Sequence, residues 1–252
     1  MSSFEILAKI CNNLDVASRH FWLKPKKQNG KYLVWKAWDK LCLPKGKGGL
    51  GFKKAKDTNR TLLAKLAWMV ASKRDNLCMA ILRAKYKVRQ DWLRKDSPKF
   101  AAPIWKAIER VKDIIVKGAC YLIGDRASIN VWQDPWIPWI QGFLSKPKSK
   151  VVSHTSLMVS QLVDQITHNW KTGLINETFE HDSAVAILSI HLPPTPRPDK
   201  LMWLLNSKGR LSVKSAFQIA SNLTQLNPNL MFLGRRFGSS EFLKGLKCWF
   251  GE

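Results

Sequence analysis

The chain has 252 residues, of which 42 are Lys or Arg and 18 are Asp or Glu, so its formal net charge is +24. The apolar share of 45% is typical of a folded protein, and the length suits one large domain or two small ones. The longest uncharged apolar stretch, residues 66–71, is too short to cross a bilayer, and the opening residues lack the pattern of a secretory signal. Composition therefore argues against a membrane-spanning or secreted protein.

The positive charge is concentrated in the first half of the chain. Residues 1–130 contain 29 Lys or Arg and 10 Asp or Glu, for +19, whereas residues 131–252 contain 13 and 8, for +5. A surface this basic favours an anionic partner, and nucleic acid is the default candidate. We therefore expect the first half to contact the phosphates of RNA or DNA.

Apolar residues recur at helical spacing in four segments of the first half: 3–24, 59–71, 76–86 and 103–117. Proline fits the first turn of the last segment because no helical hydrogen bond is lost there. The side chains predicted to face inward on the last three helices are Leu62, Leu63, Leu66, Met69, Val70, Leu77, Ala80, Ile81, Ala84, Ile104, Ile108, Val111 and Ile115.

A glycine-dense segment, PKGKGGLGF at residues 44–52, contains a literal match to G-x-G-x-x-G. In a dinucleotide-binding protein this fingerprint follows a strand, begins a helix and precedes an acidic residue by about 20 positions. Here Pro44 precedes the glycines, the predicted helix begins later, and no acidic residue lies at the required position. We predict a tight turn between strands and no dinucleotide site.

Two hairpins are predicted in the rest of the chain, one over 121–140 that turns at Gly124-Asp125 and one over 201–213 that turns at 207–209. A linker rich in Lys, Pro and Ser follows the first hairpin, and residues 156–192 are weakly helical in two pieces. A short helix over 214–223 follows the second hairpin.

Few residues are candidates for catalysis or metal binding. Two-metal polymerase or nuclease chemistry needs clustered carboxylates, and the chain has no Asp-Asp pair. Asp125 and Asp134 could meet across the predicted hairpin, although Asp134 precedes Pro135, where a carboxylate commonly caps a turn. The five cysteines are too far apart for a zinc knuckle. We therefore predict no catalytic residue, no metal ligand and no cofactor.

Three tryptophans, Trp132, Trp136 and Trp139, cluster with two prolines in the first predicted hairpin. Such rings could stack on nucleobases. Large aromatic side chains in a hairpin more often form a small hydrophobic core, and we favour that interpretation.

An ordered set of short motifs carries a family resemblance over residues 9–217. The two most specific motifs are WDKLCxPKxxGGLGF and GDxxSIxxWxDPW. The segments are FWLK (21–24), LVWKAWDKLCLPKGKGGLGFKKAKDTNRTLLAKLAW (33–68), ILRAKYKV (81–88), PIWKAIERVKDIIVKGACYLIGDRASINVWQDPWIP (103–138) and DKLMWLLNSKGRLSVKSAF (199–217). Together they resemble the region downstream of the polymerase domain in plant LINE-type (non-LTR) retrotransposon reverse transcriptases, a family labelled as reverse-transcriptase zinc-binding or ribonuclease H proteins.

The resemblance implies that the polymerase carboxylates belong upstream of this region and that a zinc-binding domain follows it. Residues 237–252 resemble the opening of that domain, and Cys248 is its single candidate ligand, which is too few to hold structural zinc. The family's ribonuclease H domain is missing, so we expect a truncated product. Arg126 replaces the glycine that often follows Gly-Asp in this family, which predicts a tighter or strained turn.

We therefore predict a mainly α fold with small β-hairpins (α+β), an irregular, thumb-like helical region plus a connector. The predicted parts are a basic region over 1–142 that ends in the Trp-rich hairpin, a linker over 143–155, a connector over 156–226, and a poorly ordered zinc-binding-like start over 227–252.

The predicted function is non-specific binding of RNA or DNA by a non-catalytic retrotransposon fragment in the cell, in the nucleus rather than the cytoplasm. A polymerase-containing retroelement protein is a second candidate partner. The candidate contacts cluster near loops and helix ends: Lys24, Lys26, Lys27, Lys45, Lys47, Lys53, Lys54, Arg83, Lys85, Lys87 and Arg89. Two alternatives stay open, namely reverse transcriptase or ribonuclease H activity within a longer polyprotein, and a pseudogene product without function.

Overall fold

The computed structural model describes residues 3–23, 36–73, 76–88, 90–93, 100–148, 157–193, 197–206 and 208–221. Within these ranges the protein is mainly helical with one small antiparallel sheet, which confirms the predicted fold class. The helices are α1 (Ala8–Leu23), α2 (Trp38–Leu41), α3 (Ala55–Ala71), α4 (Leu77–Lys85), α5 (Pro103–Glu109), α6 (Lys112–Gly118), α7 (Thr172–Thr178), α8 (His181–Leu188) and α9 (Val213–Ala220). The strands are β1 (Ala119–Leu122) and β2 (Lys200–Trp203), and single 3-10 turns lie at Lys45–Lys47, Gln90–Leu93, Gln141–Phe143 and Val159–Leu162.

Helix α1 confirms the predicted first helix, and polar contacts fix it against the start of α3. Asp15 Oδ1 accepts a hydrogen bond from the amide of Ala55 at 2.9 Å. The side chain of Asn59, which is 2% exposed, accepts from the amide of Ile6 at 3.0 Å and donates to the carbonyl of Phe4 at 2.8 Å. The buried amide side chain of Asn59 and the ion pair of Glu5 with Arg110 therefore both hold the chain before α1.

Helix α4 forms as predicted, but the face predicted to point inward is wrong. Leu77 and Ile81 are 79% and 56% exposed, and Ala80 and Ala84 are also exposed, whereas Met79 is 3% exposed. Apolar residues occur on nearly every side of this nine-residue helix, so periodicity does not select one face. The packing of Met79 against the α3 core selects it instead.

Residues 103–117 form two helices, α5 and α6, instead of the single predicted helix. The backbone at Val111 (φ −107°, ψ 10°) leaves the helical region and separates them. The predicted inner residues Ile108, Val111 and Ile115 are nevertheless all buried. The break also places Glu109 inside, where its carboxylate accepts a hydrogen bond from Trp92 Nε1 at 2.7 Å.

The described sheet pairs one segment of each predicted hairpin with the other, while a hydrogen bond of 3.1 Å from the Trp203 amide to the Gly209 carbonyl still closes a turn within the second predicted hairpin. Strand β1 runs antiparallel to β2, with Ala119 opposite Trp203 and Leu122 opposite Lys200. The ring of Trp203 packs so closely over Gly118 that a Cβ there would lie 2.4 Å from it. Burial of this ring in the core outweighs the local turn signals, a common outcome for short strands.

Two buried clusters fill the interior of the described residues. The first is formed by α3, α4, α5, α6, β1, β2 and α9, so it draws on both ends of the sequence. The second lies between residues 123 and 192 and confirms the aromatic core predicted there. Its fully buried members are Ile129, Val131, Trp136, Ile137, Val159, Leu162, Ile175 and Ile187. The predicted division at 142 and 156 stays a prediction, and residues 227–252 lie outside the described ranges.

Candidate nucleic-acid interface

The glycine-dense segment forms a rigid turn between α2 and α3, and not between strands as predicted. Gly48 and Gly51 have φ of +76° and +74°, which glycine adopts without strain. A Cβ on Gly49 would lie 2.0 Å from the carbonyl oxygen of Leu43, so only glycine fits there. The side chains of Lys45 and Lys47 are exposed on this turn.

The other two lysines predicted near this turn have different surroundings. Lys54 Nζ lies 2.7 Å from Asp39 Oδ1, and this hydrogen bond is the main reason why the pKa of Lys54 is raised. Lys53 Nζ lies 5.3 Å from the centre of the Phe217 ring, in a cation–π contact with α9. Neighbouring residues in this extended segment point to opposite sides, which separates the two ammonium groups.

The basic residues at the end of α4 also differ in their exposure to solvent. Arg83 is half-buried, whereas Lys85 and Lys87 are exposed. Lys85 Nζ lies 5.6 Å from the ring centre of Tyr86, and Lys87 has a left-handed φ of +49°. Four predicted contacts lie outside the described residues: Lys24, Lys26, Lys27 and Arg89.

Arg83 lines a cavity of about 810 Å³ that the sequence analysis did not predict. We call it the α3–α4 cavity. Its walls come from the ends of α3, α4 and β1, from Val88, Trp92 and Leu93, and from the segment around β2. Three further basic residues line it: Lys73, Arg197 and Lys200. No local pattern links residue 73 to residue 197, which come together through tertiary contacts such as the pairing of β1 with β2.

The loop after β1 is organised by the carboxylate of Asp199. Oδ1 accepts hydrogen bonds from the amides of Gly124 at 2.8 Å and Arg126 at 3.0 Å. Oδ2 accepts from the amide of Ser128 at 3.1 Å and from its hydroxyl at 2.7 Å. Arg126 has φ +68°, so the strained turn predicted from its replacement of glycine is confirmed.

The two carboxylates considered for metal binding have structural partners. Asp134 is 1% exposed, and its Oδ2 accepts a hydrogen bond from the amide of Asn130 at 2.7 Å. Asp125 Oδ1 accepts from the amide of Ala127 at 3.1 Å, and burial, together with the neighbouring Asp199, raises the pKa of Asp125. Among the described residues, no group of three or more His, Cys, Asp and Glu side chains is placed to hold a metal ion.

The tryptophans of the WQDPW segment belong to the second core. Trp136 is fully buried, and its Nε1 donates to the carbonyl of Val131 at 2.9 Å. Trp132 is half-buried, and its ring centre lies 5.0 Å from that of Phe179. Trp139 also packs against this core. None of the helices in the described ranges combines the length and apolar character needed to cross a membrane.

Two plant proteins are similar to the chain. A protein of Arabidopsis thaliana named "Putative ribonuclease H protein" is 26% identical over 238 residues, which cover 91% of this chain and 37% of that protein. An uncharacterized mitochondrial protein of Arabidopsis thaliana is 30% identical over 138 residues, which cover 54% of this chain and 89% of that protein. The chain thus spans little more than a third of the first relative. No protein-family profile and no solved structure matches it.

Proposed function

We propose that the chain, which belongs to the family of the uncharacterized mitochondrial protein of Arabidopsis thaliana, binds RNA or DNA without catalysing a reaction itself. Its two relatives are consistent with a plant retrotransposon-related protein. The observation that carries the proposal is the charge of +19 on residues 1–130, with lysines exposed on a rigid turn. The name of the first relative, a ribonuclease H protein, supports a nucleic-acid partner.

Binding follows from contacts between ammonium groups and phosphates. Each phosphate that a lysine neutralises releases condensed counterions, so affinity falls as salt rises, with a slope of about −0.9 per contact on duplex DNA and about −0.7 on single strands. Contacts to phosphate carry no sequence information, and the binding is therefore non-specific. Lys45 and Lys47 are the best placed because the glycine turn fixes their backbone before any ligand binds.

The remaining candidates contribute to different degrees. Lys85 and Lys87 are exposed beyond the end of α4 and are free to approach a phosphate from solvent. The ammonium group of Lys54 forms an ion pair with Asp39, which competes with a phosphate for it. This ion pair is exposed and therefore weak. Lys53 contributes from its position over Phe217.

The non-catalytic part of the proposal is supported by what the carboxylates of the WQDPW and DKLMW segments do. Asp134 and Asp199 accept hydrogen bonds from backbone amides and hold loops in place. A carboxylate that coordinates catalytic magnesium needs its oxygens directed at the ion.

Fluorescence anisotropy with two unrelated oligonucleotides over a salt series tests the proposal. Lys45→Gln with Lys47→Gln should flatten the salt slope by about one to two contacts, with similar losses on both sequences. The matched control is Lys146→Gln with Lys148→Gln, which removes the same charge from an exposed Lys-x-Lys pair in the second half. Affinity that does not depend on salt, or equal losses in the two double variants, would contradict the proposal.

The name of the first relative favours one alternative, ribonuclease H activity as part of a longer protein, and the family resemblance adds reverse transcriptase activity. Cleavage of the RNA strand in an RNA–DNA hybrid, or primer extension, with magnesium and the purified chain, measures both. We expect neither activity. Activity that survives stringent purification would replace the non-catalytic proposal and leave nucleic-acid binding in place.

A further inference from the structure

We propose that the α3–α4 cavity holds one unpaired nucleotide of a single-stranded nucleic acid, with the base inside and its phosphate at the basic rim. The proposal rests on the proposed nucleic-acid function and adds a specific place and a strand preference to it. The cavity volume of about 810 Å³ falls in the range of about 300–1,000 Å³ that is usual for small-ligand sites.

The interior of the cavity suits a nucleobase. Val70, Val88 and Leu93 supply apolar walls, and the half-buried ring of Tyr121 also lines the cavity. Tyr121 packs against both buried clusters, so its position is fixed by the core on either side. A flat aromatic base can stack on such a ring whatever its identity, which agrees with non-specific binding.

The charge of the lining selects an anion over a neutral apolar ligand. Lys73, Arg83, Arg197 and Lys200 line the cavity, and among its described lining residues the carboxylate is that of Asp199. Four hydrogen bonds to the loop after β1 engage the oxygens of that carboxylate. Basic side chains gathered at one rim favour a phosphate over a neutral group there.

The shape of the site distinguishes single strands from duplexes. Bases in a duplex are stacked and paired in its interior, and a protein pocket reaches them only if the strand is already open or the base is flipped out. A single strand presents its bases at no such cost. Exposed lysines such as Lys45 and Lys47 make no such distinction, because both kinds of nucleic acid carry phosphates.

Two substitutions on α4 in the full chain provide the test. Ala84 lines the cavity, whereas Ala80, one turn earlier on the same helix, is exposed and is not among the lining residues. Ala84→Trp should fill the cavity and weaken binding of a fluorescein-labelled 20-nucleotide single strand about tenfold, the value of one stacked base. Ala80→Trp should leave that affinity within about twofold, and neither variant should change the affinity for a duplex of the same length.

Two substitutions of basic residues on the same helix give a second comparison, which does not require the protein to accommodate a large side chain. Arg83→Gln should weaken single-strand binding more than Lys85→Gln, because Arg83 lines the cavity and Lys85 does not. Circular dichroism melts of all four variants show that they are folded. Ultraviolet crosslinking of the bound strand should then label the peptide that contains Tyr121.

The outcomes separate this inference from the proposed function. Equal single-strand affinity for Ala84→Trp and Ala80→Trp, with equal losses for the two charge variants, overturns the cavity site and leaves general nucleic-acid binding intact. Absence of binding to both single strands and duplexes by the unsubstituted chain overturns the proposed function itself. Capture of a peptide in place of the oligonucleotide at the cavity would also overturn the nucleotide assignment.

Discussion

The hydroxyl of Ser128 donates a hydrogen bond of 2.7 Å to Oδ2 of Asp199, a residue 71 positions later in the chain. The same carboxylate accepts three backbone amides of the loop after β1. Since Asp199 directly precedes β2, these bonds place the start of one strand against the end of the other. The GD and DKLMW motifs are thus two halves of one structural contact.

Asp199→Asn should lower the free energy of unfolding by about 2 kcal/mol or more, because an amide offers one acceptor oxygen where the carboxylate offers two. The amide's NH₂ group would face backbone N–H donors. Urea denaturation measures the difference. Glu177→Gln on the exposed side of α7 is the control and should stay within about 0.5 kcal/mol. An equally small effect of Asp199→Asn would mean that the loop finds other acceptors.

Arg126→Gly should be more stable than Arg126→Ala by about 1 kcal/mol. Both variants lose the same long side chain, but alanine keeps a Cβ at φ +68°, where an L-residue is strained, and glycine does not. Thermal melts of the two variants give the comparison. The opposite order would show that the unfolded-state entropy of glycine outweighs the strain at this position.

Trp136→Phe should cost about 1–2 kcal/mol more than Trp132→Phe. Trp136 Nε1 donates to a buried carbonyl, whereas the buried Nε1 of Trp132 has no acceptor among the described residues. Trp136 is also more deeply buried than Trp132, so the difference measured by denaturant titration combines the hydrogen bond with a larger loss of packing. Trp132→Ala should lower stability, through the lost contact with Phe179, and leave oligonucleotide affinity of the folded protein unchanged. A selective loss of affinity would instead assign that ring to base stacking.

Alkylation of the thiols should follow their exposure. Of the four cysteines in the described ranges, Cys78 is exposed and should react first with iodoacetamide at pH 8. Burial raises the pKa of Cys42 to about 11, so little of it is thiolate at that pH, and its rate should rise steeply as the solution becomes more alkaline. Cys11 and Cys120 are buried and should react only when the protein opens. Peptide mass spectrometry over time resolves the sites, and early labelling of Cys120 would contradict the burial of β1 as described.

Sequence reasoning predicted the parts of this fold that depend on local patterns. Helix α3 is long and its apolar residues are periodic, and Leu63 and Val70 on its predicted face are buried. Helix α4 is short and apolar on most sides, so only packing decides that Met79 points inward. The partner of β1 was missed because turn residues after β1 favour a neighbour, whereas burial of Trp203 favours a strand about 80 positions away.

The candidate interface likewise has a part that local sequence patterns predict and a part that depends on tertiary contacts. The exposure of Lys45 and Lys47 follows from the glycines around them, which are visible in the sequence. The grouping of Lys73 and Arg83 with Arg197 and Lys200 depends on the β1–β2 pairing, and no local signal encodes it. Phe217 lies beneath Lys53 because α9 packs against α3, a contact between distant parts of the chain that no local pattern encodes.

The first core contains Leu201, Trp203, Ala216 and Ile219 beside the helices of residues 55–118. During synthesis the ribosome releases those helices long before β2 and α9 exist to cover them, so α3, α5 and α6 emerge with an unprotected apolar face. We therefore expect chaperones to bind the nascent chain until about residue 220 has left the exit tunnel. A stop codon near residue 130 would yield a polypeptide that retains the basic turn but lacks β2 and α9, which cover the apolar face of these helices.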